Sequence, residues 1–100
     1  MSDLDAVVEL VARRRDALVA LSDAIWATPE LCYAETHSAA LHAAALAEHG
    51  FRVETGVAGI PTALLGEIGA EGPVIAFLGE YDALPGLSQE AGVAEHRPLE

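Results

Sequence analysis

Two acidic residues, Glu80 and Asp82, lie in the sequence GEYDALPG, directly after the most apolar stretch of the chain, residues 73–78. Ligand sites of open α/β sheets lie beyond the carboxyl ends of buried strands, and such a strand has this continuous apolar composition. Two carboxylates separated by one residue can bind a divalent cation, or one can orient a histidine that binds it. Acids in loops also cap helices and hold turns, so the spacing alone leaves both interpretations open.

Other residues that could take part in catalysis or metal binding have weaker support as site residues. His37, His42 and His49 share one predicted helix, but the His-Glu-x-x-His motif of zinc peptidases is missing. Cys32 is the single cysteine, and we interpret it as a small core residue rather than a nucleophile. No serine has a G-x-S-x-G setting, and residues 66–73 match neither a P-loop nor a dinucleotide-binding fingerprint. Glu80 and Asp82 therefore remain the candidate site residues.

The elements that would position these acids follow from periodicity. Apolar residues at helical spacing predict one helix over residues 2–26, and an alanine-rich stretch predicts a second helix that begins near Glu35 or Thr36 and ends at His49. Alternation predicts a strand over residues 51–55, followed by strands over 62–68 and 74–78. The fold class is α/β, with two helices before three strands.

Composition excludes several partners. The chain has 100 residues, with five basic and sixteen acidic residues and a net charge of −11, which repels nucleic acids and anionic membranes. The apolar runs are too short to span a membrane, no signal-peptide pattern is present, and one cysteine fits a reducing compartment. We expect a cytoplasmic protein. A central strand near the end of the regular structure would lack neighbours, so we expect residues 1–100 to be an incomplete N-terminal segment of a larger domain.

Several stretches together resemble a known family. Pro29-Glu30-Leu31, residues 59–63 (GIPTA) and residues 79–86 (GEYDALPG) are similar to the opening of the zinc-dependent amidohydrolases and metallopeptidases, which include aminoacylases, indole-acetyl-amino-acid hydrolases and aminobenzoyl-glutamate hydrolases. The resemblance covers about residues 24–92, roughly the first quarter of a typical member. It implies a three-layer α/β/α peptidase domain, and an inserted dimerisation domain that this chain lacks, so a homodimeric parent is expected.

The resemblance also implies an activity. The parent would hydrolyse the amide bond of a small molecule, such as an N-acyl amino acid, an aminobenzoyl-glutamate-like compound or a dipeptide, with two divalent metal ions, zinc or manganese. Asp82 matches the aspartate that orients a metal-binding histidine in a His-x-Asp motif, whereas Glu80 replaces that histidine. In this respect the chain resembles the branch of the family in which that position does not bind a metal. In that branch, a cysteine and a histidine from a later Gly-Cys-Gly-His segment are the metal ligands instead.

Within that resemblance, the metal ligands and the general base lie downstream of residue 100. We therefore expect no metal ligand within this chain, no tight metal binding and no activity of the chain alone. Asp82 is the expected orienting residue and Glu80 a further contributor to the pocket. The alternative is a small acidic α/β binding or interaction module without catalysis.

Overall fold

A computed structural model describes residues 1–99 as three helices followed by a small sheet. The helices are α1 (Asp3–Arg13), α2 (Arg15–Trp26) and α3 (Thr36–Glu48), and the strands are β1 (Arg52–Thr55) and β2 (Leu64–Glu67). A single 3₁₀ turn, Val57–Gly59, lies between the strands. The predicted α/β class is confirmed, and the arrangement is consistent with the N-terminal part of an α/β domain.

The predicted first helix is divided in two. Ser2 begins α1 with a capping box, in which its hydroxyl accepts a hydrogen bond from the Asp5 amide at 3.1 Å and its own amide donates to the Asp5 carboxylate at 3.0 Å. Arg14 then leaves the helical conformation, with φ −99° and ψ 2°. The prediction of one helix was wrong because the apolar periodicity on the two sides of Arg14 is compatible with a single helix.

Helix α3 contacts α2 and both strands, so it is the central element of the fold. The strands are antiparallel, with Arg52 opposite Glu67 and Thr55 opposite Leu64. Gly66 allows the close contact between sheet and helix, because a Cβ atom there would lie 3.0 Å from Leu46 Cδ1. The second predicted helix and the first two predicted strands are confirmed, with shorter bounds.

The predicted third strand is wrong for this structure. Residues 74–78 form no strand, and the side chains of Val74, Phe77 and Leu78 are 98%, 96% and 96% exposed. A strand needs a neighbour that pairs with its amide and carbonyl groups, and no segment between residues 1 and 99 occupies that position. An apolar composition alone therefore did not make this stretch a buried strand.

Burial is concentrated at one place in the described residues. No apolar side chain between residues 1 and 99 is fully buried, and the buried residues are polar: Glu35, Ser38 and Thr62. Glu35 and Ser38 lie at the start of α3, and Thr62 precedes β2. None of the described helices is long and apolar enough to cross a membrane. The best-enclosed part of the structure is thus the region around the amino end of α3.

Candidate functional site

Glu80 and Asp82 both line an open groove of about 480 Å³. The groove lies between the loop that precedes α3, the residues that precede β2, and residues 80–82. The other residues that line it are Cys32, Tyr33, Glu35, Ile60, Thr62, Ala63 and Tyr81. The structure thus places the two predicted site residues on one concave surface. The strand that was predicted to precede them, residues 74–78, is not formed.

One wall of the groove is held by the side chain of Glu30. Its carboxylate accepts hydrogen bonds from the amides of Ser38 at 2.8 Å and His37 at 3.0 Å, and from the Thr36 hydroxyl at 3.3 Å. These amides at the start of α3 have no partner within the helix. The hydrogen bonds from His37 and Ser38 lower the pKa of Glu30 to about 2. Glu30 is therefore a structural acid that caps α3.

The segment that carries Glu80 and Asp82 is attached at three points. The Ala83 amide donates a hydrogen bond to the Glu30 carbonyl at 2.8 Å, which forms a parallel bridge between Leu31 and Ala83. The Tyr81 hydroxyl donates to the Thr62 carbonyl. The Tyr81 ring also lies against His42, with 4.8 Å between ring centroids. The backbone on either side of Asp82 is consequently fixed against the loop before α3 and against α3 itself.

The aromatic pair in this attachment is uncharged near neutral pH. Burial lowers the pKa of His42, which favours the neutral imidazole. Burial also raises the pKa of Tyr81, and the nearby carboxylates of Glu35 and Glu30 raise it further. The formal charges among the groove-lining side chains therefore come from three acids, Glu35, Glu80 and Asp82, and no basic residue lines the groove.

The described residues do not form a metal site by themselves. No group of three or more His, Cys, Asp or Glu side chains between residues 1 and 99 is placed to hold a metal ion. Glu80 and Asp82 are both exposed at the groove. Carboxylates are suitable donors for divalent cations, but such ions take four or more ligands. Residues 1–99 alone therefore do not fit a resident metal.

Two further groove residues differ from the sequence interpretation. Cys32 was expected in a core, but it is exposed and lines the groove. Glu35 was expected near the start of a helix and is one of the residues that carry the family resemblance, but it was not predicted to line the site; it is 7% exposed and lines the same groove. Acids are common at helix starts, so no local signal in the sequence distinguishes a buried Glu35 from an exposed one.

Comparison with known proteins gives one informative match. No protein-family model matches the chain. Over 75 residues, the chain is 49% identical to a subunit of the p-aminobenzoyl-glutamate hydrolase of Escherichia coli strain K12. This match supports an amidohydrolase-family relationship. It covers 75% of this chain but only 16% of that hydrolase subunit, so the chain spans a small part of its relative's length.

Proposed function

We propose that this chain forms part of an amidohydrolase that cleaves the amide bond of a small molecule, with aminobenzoyl-glutamate-like compounds, N-acyl amino acids and dipeptides as the candidate substrates. The observation that carries the proposal is the 49% identity over 75 residues to a subunit of a p-aminobenzoyl-glutamate hydrolase. The groove supports it, because Glu80 and Asp82 lie together on a concave surface that a small molecule can enter.

In this proposal Asp82 orients a reacting group or a ligand. A carboxylate accepts hydrogen bonds through both oxygens, so it can hold an imidazole N–H in one orientation. The hydrogen bond from the Ala83 amide to the Glu30 carbonyl fixes the backbone next to Asp82, which limits the positions its side chain can take. Glu80 lines the same groove and is the second candidate site residue.

The proposal includes two divalent metal ions, zinc or manganese, in the complete enzyme. When bound, such ions polarise a carbonyl and make a bound water more acidic. Since residues 1–99 provide no ligand set, we propose that the ligands and the general base lie in other parts of the enzyme. No chemical step is therefore assigned to the residues described here beyond orientation by Asp82. We also propose that the complete enzyme is a homodimer and that it is located in the cytoplasm.

An activity screen tests this function. The protein, expressed as its gene encodes it, would be incubated with zinc or manganese and with aminobenzoyl-glutamate, N-acyl amino acids and dipeptides, and the released amine would be measured by chromatography. We expect turnover of at least one class, and loss of turnover after chelation with restoration by added metal. A folded, metal-supplemented protein that hydrolyses none of the three classes would contradict the proposal.

The alternative function, a binding module without catalysis, is favoured by one observation. Residues 74–78 present large apolar side chains to solvent, and exposed apolar patches often mark interaction surfaces. A purified protein that lacks hydrolase activity but forms a defined complex through this segment, measured by analytical ultracentrifugation, would favour the module over the enzyme.

A further inference from the structure

Tyr81 lies between the two acids of the candidate site, and its surroundings differ from theirs. Half-buried and exposed residues alternate along residues 80–83. Tyr81 and Ala83 are half-buried, whereas Glu80 and Asp82 are exposed. Such alternation is typical of an extended segment that packs on one face only. One face of this segment is therefore attached to the rest of the chain, and the other face carries the acids.

The stretch of chain between β2 and Tyr81 has few attachments. Residues 67–80 are all exposed. The Gly69 carbonyl accepts a hydrogen bond from the Arg52 side chain at 3.3 Å, but residues 70–80 make no hydrogen bond with another described residue. Tyr81 is consequently the first residue after this stretch that is held by the rest of the fold.

The acceptor of the Tyr81 hydroxyl lies in a well-held part of the chain. This acceptor is the carbonyl of Thr62, a residue that is 5% exposed. The neighbouring Ala63 is fixed on both sides of its backbone. Its amide donates to the Ile60 carbonyl at 3.0 Å, and its carbonyl accepts from the Gly56 amide at 2.9 Å. The hydroxyl of Tyr81 is thus bound to a backbone position that local hydrogen bonds define.

The ring of Tyr81 is held by a different element. It lies against His42 of α3, with 4.8 Å between ring centroids and 47° between ring planes. Tilted aromatic pairs at this separation attract each other. Helix α3 also contacts α2 and both strands. Because the hydroxyl and the ring are held by separate parts of the fold, the direction of the Tyr81 side chain is fixed as well as its position.

We propose that Tyr81 is a positioning residue for Asp82. Tyr81 holds the backbone on the amino side of Asp82, and the hydrogen bond from the Ala83 amide to the Glu30 carbonyl holds it on the carboxyl side. As a statement about catalysis, the inference rests on the proposed function, in which Asp82 orients a reacting group or a ligand. A misplacement of about 1 Å can lower turnover by about 100-fold, so a residue that acts only through Asp82 still affects the rate.

Amide hydrogen exchange of the protein as its gene encodes it tests the attachment without a substrate. Tyr81→Phe removes the hydroxyl and keeps the ring, and it should raise the exchange rate of the Ala83 amide by roughly threefold to tenfold. Tyr33→Phe is the matched control, because the Tyr33 hydroxyl makes no hydrogen bond among residues 1–99 and the residue is 75% exposed. It should leave that rate within about twofold. The Ala39 amide, bound to the Glu35 carbonyl in α3, is the internal reference for the fold.

Substitution of His42 tests the second contact of Tyr81. His42→Ala removes the ring against which Tyr81 packs and should also raise the exchange rate of the Ala83 amide, by about twofold to tenfold. His42→Phe supplies another aromatic ring and should restore most of the original protection. This rescue distinguishes a requirement for the aromatic contact from a requirement for the imidazole itself.

Steady-state kinetics with aminobenzoyl-glutamate tests the consequence for catalysis. Tyr81→Phe should lower kcat by about fivefold or more and leave KM within about twofold, since a misplaced Asp82 affects the reacting group rather than substrate binding. A purely structural role of Tyr81 would instead reduce the amount of folded enzyme and leave the kcat of the folded fraction unchanged.

Three results would overturn the inference. They are equal exchange of the Ala83 amide in Tyr81→Phe and Tyr33→Phe, an equal rise at Ala39 and Ala83, and an unchanged kcat in an active enzyme that carries Tyr81→Phe. A protein that shows the expected exchange but hydrolyses none of the candidate substrates would contradict the proposed hydrolase, and Tyr81 would still hold the backbone at Asp82. The two failures are therefore distinguishable.

Discussion

Acidic residues of similar chemistry have different roles here because their surroundings differ. Glu30 accepts hydrogen bonds from two amides of α3, whereas Glu35, five residues later, is enclosed and faces a groove. Asp82 is exposed at that groove, and the hydrogen bond from the Ala83 amide to the Glu30 carbonyl holds the backbone next to it. The Glu30 carboxylate accepts hydrogen bonds from α3, whereas the carboxylates of Glu35 and Asp82 accept none from the described residues, and this difference separates the structural acid from the acids that line the groove.

The cap formed by Glu30 predicts a defined pH dependence. Its pKa falls from 4.5 to about 2 in the folded chain, so the unfolded chain binds more protons between these values. Its stabilisation of α3 is fully present above about pH 4.5 and is lost as the pH falls toward 2. Glu30→Gln should therefore lower the thermal midpoint of the helical circular dichroism signal at pH 7, and much less near pH 2.

Glu71→Gln is the matched control for this experiment, because it removes an acid from an exposed turn with no hydrogen bond to α3. It should shift the midpoint little at either pH. If the gap between Glu30→Gln and the unchanged protein stayed constant from pH 7 to pH 2, the carboxylate of Glu30 would not be the group that caps α3.

The proposed orienting role of Asp82 predicts the effect of removing its carboxylate. In the enzyme, Asp82→Ala should reduce metal occupancy or turnover by tenfold or more, in the range of losses seen for residues that orient metal ligands, roughly 10–100-fold. Its side chain is exposed, so stability should change little. Asp23→Ala, an exposed aspartate on α2, is the control. Unchanged metal content and unchanged kcat/KM in Asp82→Ala would remove this residue from the site.

At the scale of elements, local patterns predicted α3, β1 and β2 well. Alanine-rich composition and Gly50 after the helix define α3, and alternation defines β1, because these signals act between residues close in sequence. The break at Arg14 and the missing third strand were not predicted, since they depend on contacts between segments. Of the candidate site, Glu80 and Asp82 could be selected from sequence, but the enclosure of Glu35 could not.

The contact between α3 and the sheet predicts the effect of one added methyl group. In Gly66→Ala, the new Cβ would lie 3.0 and 3.3 Å from the Leu46 methyl carbons and 3.4 Å from Phe51 Cδ1. We expect a loss of about 1–3 kcal/mol in the free energy of unfolding, typical of overpacking. Urea denaturation followed by circular dichroism measures this loss.

Gly79→Ala is the control for that substitution, because no heavy atom lies within 4 Å of an added Cβ there. It should leave stability unchanged within about 0.5 kcal/mol. Equal stability of Gly66→Ala and the unchanged protein would show that α3 does not lie as close to β2 as the structure places it.

At the scale of the whole molecule, a large apolar content coexists with no fully buried apolar side chain between residues 1 and 99. Many apolar residues of α1 and α2 are exposed, and so are those of residues 74–78. Apolar surface in water favours association, while a net charge of −11 opposes it through repulsion that salt screens. The balance between these two terms predicts a salt-dependent association of this chain.

The two phenylalanines of the chain allow a matched test of that balance. Phe77 is 96% exposed, whereas Phe51 is half-buried beside Gly66 and α3. Phe77→Ser should reduce association at high salt, measured by light scattering, and leave the unfolding midpoint unchanged, because its ring contacts no packed element. Phe51→Ser should lower that midpoint and have a smaller effect on association. If Phe77→Ser destabilised the chain as much as Phe51→Ser, residues 74–78 would be packed in solution, and the buried strand that the sequence predicted would be correct after all.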